Sequence, residues 1–497
     1  MARRLTADQT DRAVGALLGT AVGDALGVPY EYGSRPLDPE PRMLGGGLGR
    51  SAPGEWSDDT AMTVAVAEVA ATGADLRAEA ALDAVGEQFL RWYDDGPPDI
   101  GVQTRRVLAA TRRRGVAGAA SGRGGAPTAG VMRAVAARLH AETGRTAANG
   151  SLMRTAAVPL AHLGDPDAVA GAARAVSALT HHDPVAGDAC ALWSLAVEHA
   201  VLTGRLDVRA GLDRVDAGYW APLLDEAERV EPSHYARGNG WVVGALCAAW
   251  SAVSRAGSYA DGVARAVSGG GDTDTVAAIA GALLGARYGG SAVPARWRRP
   301  LHGWPGYRAR DLVRLGVLAA RGGGPDADGW PVAATVPSYR GASAALVAHP
   351  DDPRVLLGGA GALRPGVADT VVSLCRLGAS QVPATTDPSD HVEFWLVDAD
   401  GANADAAAVV RDAAETVAAL RREGKSVLVH CVHAETRTPL VAAAYGALLT
   451  GTPAPAALDR VLAVLPSARP RPSLLAALGV DARPDRPGPG GAGRGRR

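Results

Sequence analysis

The chain has 497 residues, 47% of them hydrophobic and 21% charged, with a formal net charge of −1. That length exceeds one ordinary hydrophobic core, so two domains are the default expectation. The near-neutral charge gives no reason to propose a nucleic-acid or membrane-surface partner. Cys190, Cys247, Cys375 and Cys431 lack the paired spacing of a zinc site or a disulfide framework, which suits reduced thiols in a cytoplasmic protein. The N-terminus starts basic and turns apolar. Asp8, Asp11 and Asp24 interrupt it, so it makes a poor signal peptide, and no uninterrupted apolar run appears long enough to span a bilayer.

From Asp11 to about Ala320 apolar residues recur at helical spacing, as in DRAVGALLGTAVGDAL, ALDAVGEQFLRWY and DTVAAIAGALLGARY. This predicts an all-helical domain over 11–320, with the Gly-rich segment 115–130 as a surface loop. RGGGPDADGWP, residues 321–331, reads as a linker. Beyond it VLLGGAGAL, DTVVSLCRLG, HVEFWLVD and SVLVHC read as strand-bearing segments. ADAAAVVRDAAETVAALRREG and TPLVAAAYGALLTG read as helices. The alternation predicts a small α/β domain over 332–482, and the basic Gly/Pro tail 483–497 reads as disordered.

Two acidic clusters, GEWSDDT at 54–60 and GGGDTDT at 269–275, each open an apolar run. Helix capping is the simple account: Ser57 is a good N-cap, and Asp58 and Asp59 suit the positive end of a helix. Asp272 and Asp274 fit that account less well. Two residues apart, they would point in nearly opposite directions on a regular helix, whereas Gly269–Gly271 permit an irregular lead-in that turns both toward one point. Adjacent carboxylates repel unless a cation neutralises them. An all-oxygen set that includes hydroxyls suits Mg²⁺ or Mn²⁺ better than Zn²⁺.

Five ordered stretches, GALLGTAVGDALGVPYE, GEWSDDTAM, ANGSLMR, LTHHDPVA and GGGDTDTVAAIAGALLGARYG, resemble the ADP-ribosylglycohydrolases related to the dinitrogenase-reductase-activating enzyme, over roughly residues 11–320. The resemblance implies an all-helical domain with two Mg²⁺ (Mn²⁺ as the substitute) that hydrolyses an ADP-ribosyl linkage at C1 of the distal ribose. By the same carry-over Ser57, Asp58 and Asp59 supply ligands from one side, and Asp272, Asp274 and Thr275 from the other. Glu31 matches the family's glutamate near the scissile bond, as general acid or base, against its plain reading as a loop carboxylate.

Asp24, inside an apolar helix, needs a partner and reads as a structural or supporting residue. Asn149, Gly150 and Ser151 form a small-residue turn where main-chain N–H groups can approach a diphosphate. Arg154 pairs either with the ligand or with an acidic neighbour. His182, rather than His181, is the ADP-ribose contact that the family pattern implies. Asp99 lines the cleft and faces the released group, and Tyr235 is a further cleft residue. The expected partner is an ADP-ribosylated protein or small molecule, with ADP-ribose as ligand. A silent ADP-ribose-binding relative without turnover is the alternative.

In VLVHCVHAETRT, Cys431 and Arg437 stand in a C-x5-R arrangement between a buried strand and an apolar helix. A thiolate at a helix N-terminus has a lowered pKa, and an arginine fork can bind phosphate. The segment resembles the phosphate loop of dual-specificity phosphatases, over about residues 340–480. That resemblance implies Cys431 as nucleophile and Asp400 as general acid, with Asp398 as runner-up. Two departures stand against it. Ala434 replaces the loop glycine, where a left-handed conformation is costly. Glu435 brings a carboxylate that would repel a bound anion by roughly 3 kcal/mol at ~6 Å and an effective dielectric of about 20 if it faced inward. An active phosphatase and a degenerate binding module both stay open.

Overall fold

The computed structural model describes residues 3–120, 128–336, 339, 341–385 and 387–479. The chain separates into two compact units, Met1–Ser338 with Arg376–Val382, and Tyr339–Cys375 with Pro383–Arg497. Residues 321–331, expected as a linker, lie within the first unit, where Trp330 is buried and Gly323 N donates to Leu318 O.

The first unit is helical apart from a two-residue ladder between His302–Gly303 and Tyr307–Arg308. Its axis is the pair α1 (Ala7–Gly27) and α3 (Thr273–Tyr288), with α2 (Asp58–Ala70) beside them. Glycine explains how closely α1 and α3 pack. Gly15, Gly19, Gly23 and Gly27 fall every four residues and so share one face of α1. A Cβ at Gly19 would lie 2.1 Å from Gly281 O, and one at Gly23 would lie 2.0 Å from Ala277 O. The two backbones touch, and the end of α1 at Gly27 meets α3 at Asp274.

Two expectations need correction here. The segment 115–130 is not one loop: a helix runs Val102–Ala120 and the next starts at Thr128, because Ala-rich sequence propagates a helix despite its glycines. Residues 121–127, like the tail 483–497, lie outside the described residues. Secondly, Ala7–Gly33 and Pro184–Thr203 are long and apolar enough to cross a membrane by length and composition, yet 100% and 78% of the apolar 18-residue stretch in each is buried inside the structure. Asp24 is tolerated in the first because its oxygens are hydrogen-bonded.

The second unit is α/β. Its sheet contains β1 (Leu346–His349), β2 (Asp352–Gly359), β3 (Thr370–Ser373), β4 (His391–Glu393) and β5 (Val427–Cys431), in the spatial order β1-β2-β5-β3-β4. Only β1 is antiparallel. The parallel core strands β3 and β5 are buried along their whole length, as sheets covered on both faces require. α4 (Ala406–Arg422) precedes β5, and α5 (Arg437–Thr450) follows it.

Candidate active site

Ser57 does cap α2: its Oγ accepts from Asp59 N at 3.4 Å and donates to Asp59 Oδ2 at 2.9 Å. Asp24, projecting from α1, fixes this helix start by accepting from Ser57 N, Thr60 N and Thr60 Oγ1. Asp272 occupies the N-cap position of α3, yet its side chain makes no cap bond. Its Oδ2 instead accepts from Tyr32 OH at 3.1 Å and Asn149 Nδ2 at 2.8 Å. The turn that allows this passes through Gly270 and Gly271 at φ +75° and +74°, where side chains are strained. Thr273 Oγ1 donates to Gly27 O at 2.8 Å and locks the start of α3 to the end of α1.

The two clusters converge. Asp24, Asp59 and Asp274 bring carboxylate oxygens within 4.8 Å of one another, and so do Glu31, Asp272 and Asp274. Asp274 belongs to both groups. Its Oδ1 accepts from Thr275 N, and Thr275 is buried beside it in the first turn of α3. Asp58 Oδ2 accepts from Gly101 N at 3.3 Å. Asp99 accepts from Ile100 N, and its charge reaches Glu31 and Asp58.

So many buried acids cannot all ionise freely. Burial first, then Asp272, Asp99 and Asp58, pushes Glu31 up to about 8, while the Leu48 main-chain N–H opposes the rise. Burial, with Asp99 and Asp24, lifts Asp58 to about 7. Asp59 and Asp274 are driven well above the carboxylate range, again by burial first and neighbouring acids second. Asp59 Oδ1 is buried with no hydrogen-bond partner. A buried carboxylate oxygen left without a donor, among acids that repel it, is chemically suited to a divalent cation. The donor set fits Mg²⁺ or Mn²⁺, and Asp24, placed in the sequence as a supporting residue, is within the ligand group as well.

The expected diphosphate turn is more occupied than its sequence suggests. Asn149 Nδ2 is shared by Asn239 O and Asp272 Oδ2. Ser151 Oγ faces the core, accepting from Ser177 Oγ and Cys190 Sγ. Gly150 packs on His181, where a Cβ would lie 3.3 Å from the ring. His181 is buried with Nε2 unpartnered, and burial holds its pKa well below the usual value. His182 is exposed, its ring 5.7 Å from that of His140. Arg154 takes neither expected partner: fully buried, it donates to Val176 O at 2.9 Å and lies over the Phe89 ring. Tyr235 turns its hydroxyl toward Cys247, into the core.

Asn239 and Tyr32 were missed. Asn239 Oδ1 accepts from Asp272 N, and its Nδ2 donates to Gly270 O, so it braces the glycine turn. The signal available was an asparagine between Gly238 and Gly240, in the stretch where only Tyr235 drew attention.

In the second unit Cys431 ends the central strand and is buried, and Arg437 opens α5. Ala434 adopts φ +60°, the conformation that its side chain makes costly. Glu435 is exposed, and its carbonyl accepts from Arg469 N. Arg437 Nη1 donates to Leu374 O at 2.9 Å and Leu396 O at 3.1 Å. Asp398, 3.9 Å from Arg437 Nε, is the acid beside it, whereas Asp400 accepts from Ser473 Oγ.

The buried acids of this helical unit thus converge from two helix starts. The chain matches the ADP-ribosylglycohydrolase family over residues 5–326 and belongs to that family of hydrolases. It is 31% identical over 303 residues to the ADP-ribosylarginine hydrolase Tri1 of Pseudomonas putida (strain GB-1), covering 59% of this chain and 75% of that one. It is 28% identical over 302 residues to the ADP-ribosyl-(dinitrogen reductase) glycohydrolase of Rhodospirillum rubrum, covering 58% and 89%. The structure is also similar to human DUSP28, with a TM-score of 0.23 and 24% identity, covering 27% of this chain and 90% of that one.

Proposed function

We propose that the first unit is a divalent-metal hydrolase that cleaves the bond between ADP-ribose and its acceptor, releasing ADP-ribose. The observation that carries this is the meeting of Asp24, Asp59 and Asp274 with Glu31, Asp272 and Asp274, including a buried oxygen of Asp59 that has no donor. Ser57, Asp58 and Asp59 would hold two Mg²⁺ from the α2 side, and Asp272, Asp274 and Thr275 from the α3 side, with Mn²⁺ as the substitute. When bound, the ions supply Lewis-acid polarisation and lower the pKa of a water. Glu31, at the edge of the acids, would carry the proton to or from the reacting oxygen. Asp99 would face the acceptor, and the main chain at Asn149–Ser151, with His182, would lie along the ADP-ribose. The relatives' names make arginine the first acceptor to try. Four free, buried cysteines suit a reducing, cytoplasmic setting.

The test is ADP-ribose release from arginine-, serine- and base-linked ADP-ribosyl substrates with Mg²⁺ or Mn²⁺. Release that Asp274→Asn abolishes supports the proposal. Binding of ADP-ribose without any release would favour the silent relative.

A second proposal concerns the other unit: Cys431 at a central strand end, followed by α5, supports a phosphatase-like module. Asp398 is better placed than Asp400 to act beside Arg437. Phosphate release that survives Asp274→Asn and disappears in Cys431→Ser would support it; no release under reducing conditions would favour a binding module.

A further inference from the structure

At the acidic mouth of the first unit, Tyr32 holds a backbone conformation that its side chain makes costly. The Glu31 carbonyl accepts from Ser34 N at 2.9 Å, and the two residues between them, Tyr32 and Gly33, have φ +44° and +78°. Two positive φ values inside one closed turn are the pattern of type I′, whose first central position favours asparagine, aspartate or glycine. An aromatic residue there is an outlier. Burial does not explain the choice, because Tyr32 is 58% exposed. Among the described residues its side chain makes one hydrogen bond, from the hydroxyl to Asp272 Oδ2 at 3.1 Å.

Both ends of Tyr32 are fastened to the glycine turn that opens α3. Its N–H donates to Gly271 O at 2.7 Å, and its hydroxyl donates to the next residue along. Asp272 Oδ2 thereby receives two donors, Tyr32 OH and Asn149 Nδ2, while Oδ1 accepts none from the described residues. Two donors use both lone pairs of that oxygen, so Oδ1 is the one left to an ion. Such outer partners fix the direction in which a carboxylate meets a metal. Asp272 also shares one group of converging carboxylates with Asp274 and with Glu31, the residue before Tyr32. A strained residue persists only where its surroundings over-determine it, and such residues gather at functional sites.

We infer that Tyr32 is a positioning residue for the metal site: its hydroxyl occupies Oδ2 of Asp272 and so presents Oδ1 to the ion. Asparagine or glycine would close the turn without strain, but neither brings a hydroxyl to Asp272. The inference rests on the metal-hydrolase reading above.

The test is Mg²⁺ calorimetry, with metal-free thermal melts, on the full chain and its Tyr32→Phe and Tyr32→Asn variants. Both variants should bind Mg²⁺ about tenfold more weakly, as loss of one partner of a metal ligand does. Without metal, Tyr32→Phe should melt with the wild type, and Tyr32→Asn at or above it, because asparagine suits the turn. On ADP-ribosylarginine, kcat should fall at limiting Mg²⁺ and recover in excess Mg²⁺, with KM unchanged. Equal Mg²⁺ affinity in the three proteins would overturn the inference. So would a lower metal-free melting temperature for Tyr32→Phe, which would make the bond a contact of the fold. A raised KM with normal Mg²⁺ affinity would make Tyr32 a substrate contact and overturn it too. A wild type that binds Mg²⁺ but releases no ADP-ribose removes the hydrolase reading alone, and calorimetry still decides Tyr32. A wild type that binds neither Mg²⁺ nor Mn²⁺ removes both.

Discussion

The acidic mouth and the Cys431 loop both place reactive groups at the starts of helices, but they differ in how well those groups are satisfied. In the first unit, acids face acids, and Asp59 Oδ1 is buried without a donor. In the second, Nη1 of Arg437 serves two main-chain carbonyls, while its Nε is buried without a hydrogen-bond partner and has the opposite charge of Asp398 3.9 Å away. A buried group left unsatisfied lowers stability, which makes sense where a ligand completes the set. The two Nη1 bonds of Arg437, and the carboxylate of opposite charge beside it, contribute to the fold whether or not a ligand comes, whereas the acids of the first unit have only one another's like charge.

The sharpest way to break this comparison is to remove an acid shared by both groups. Asp274→Asn should lower ADP-ribose release by about a thousandfold, since metal chemistry contributes several kcal/mol. Steady-state release with Mg²⁺ measures it, and near-normal turnover would remove Asp274 from the site. Next in size is Gly19→Val. A side chain 2.1 Å from Gly281 O must push α1 from α3, costing about 3 kcal/mol. Urea unfolding should show that loss, and calorimetry should show weaker Mg²⁺ binding, because the same contact aligns Asp24 with Asp274.

Arg437→Met should destabilise the second unit by about 2 kcal/mol by leaving the Leu374 and Leu396 carbonyls unpaired. Asp59→Asn, by contrast, should stabilise the metal-free protein by about 1 kcal/mol, as removal of a repelling functional charge often does. Thermal melts of the two variants compare them directly, and a loss in both would erase the contrast.

The smallest effect is on pH dependence. Glu31 at about 8 and Asp58 at about 7 lie above their unfolded values, so the folded state holds more protons between roughly pH 4 and those values. Metal-free stability should therefore fall as pH rises through that window. Mg²⁺ should raise the melting temperature more at pH 8 than at pH 5.5. An equal rise at both would mean that the acids do not bind the ion as a cluster.

Much of the fold could be read along the chain. Helical spacing gave α1 and α3, and buried apolar runs gave β3 and β5, because periodicity and composition are local. β1 was missed: four residues at a sheet edge carry little pattern of their own. Ser57, Asp58, Asp59, Asp272 and Asp274 were visible because two aspartate clusters beside glycines and hydroxyls stand out. Tyr32 and Asn239 were not, since their roles arise from partners 240 and 33 residues away. For the same reason the sequence offered Arg154 a carboxylate, where the fold supplies carbonyls and the face of Phe89.

By itself, then, the sequence determined which residues could carry charge into a helix start and which helices would be apolar enough to bury. The tertiary structure alone decided that the two helix starts share one point. That depends on the glycine face of α1 meeting the backbone of α3, where close approach replaces side-chain packing. Carboxylates more than two hundred residues apart in sequence can be held together against their repulsion only by such a contact.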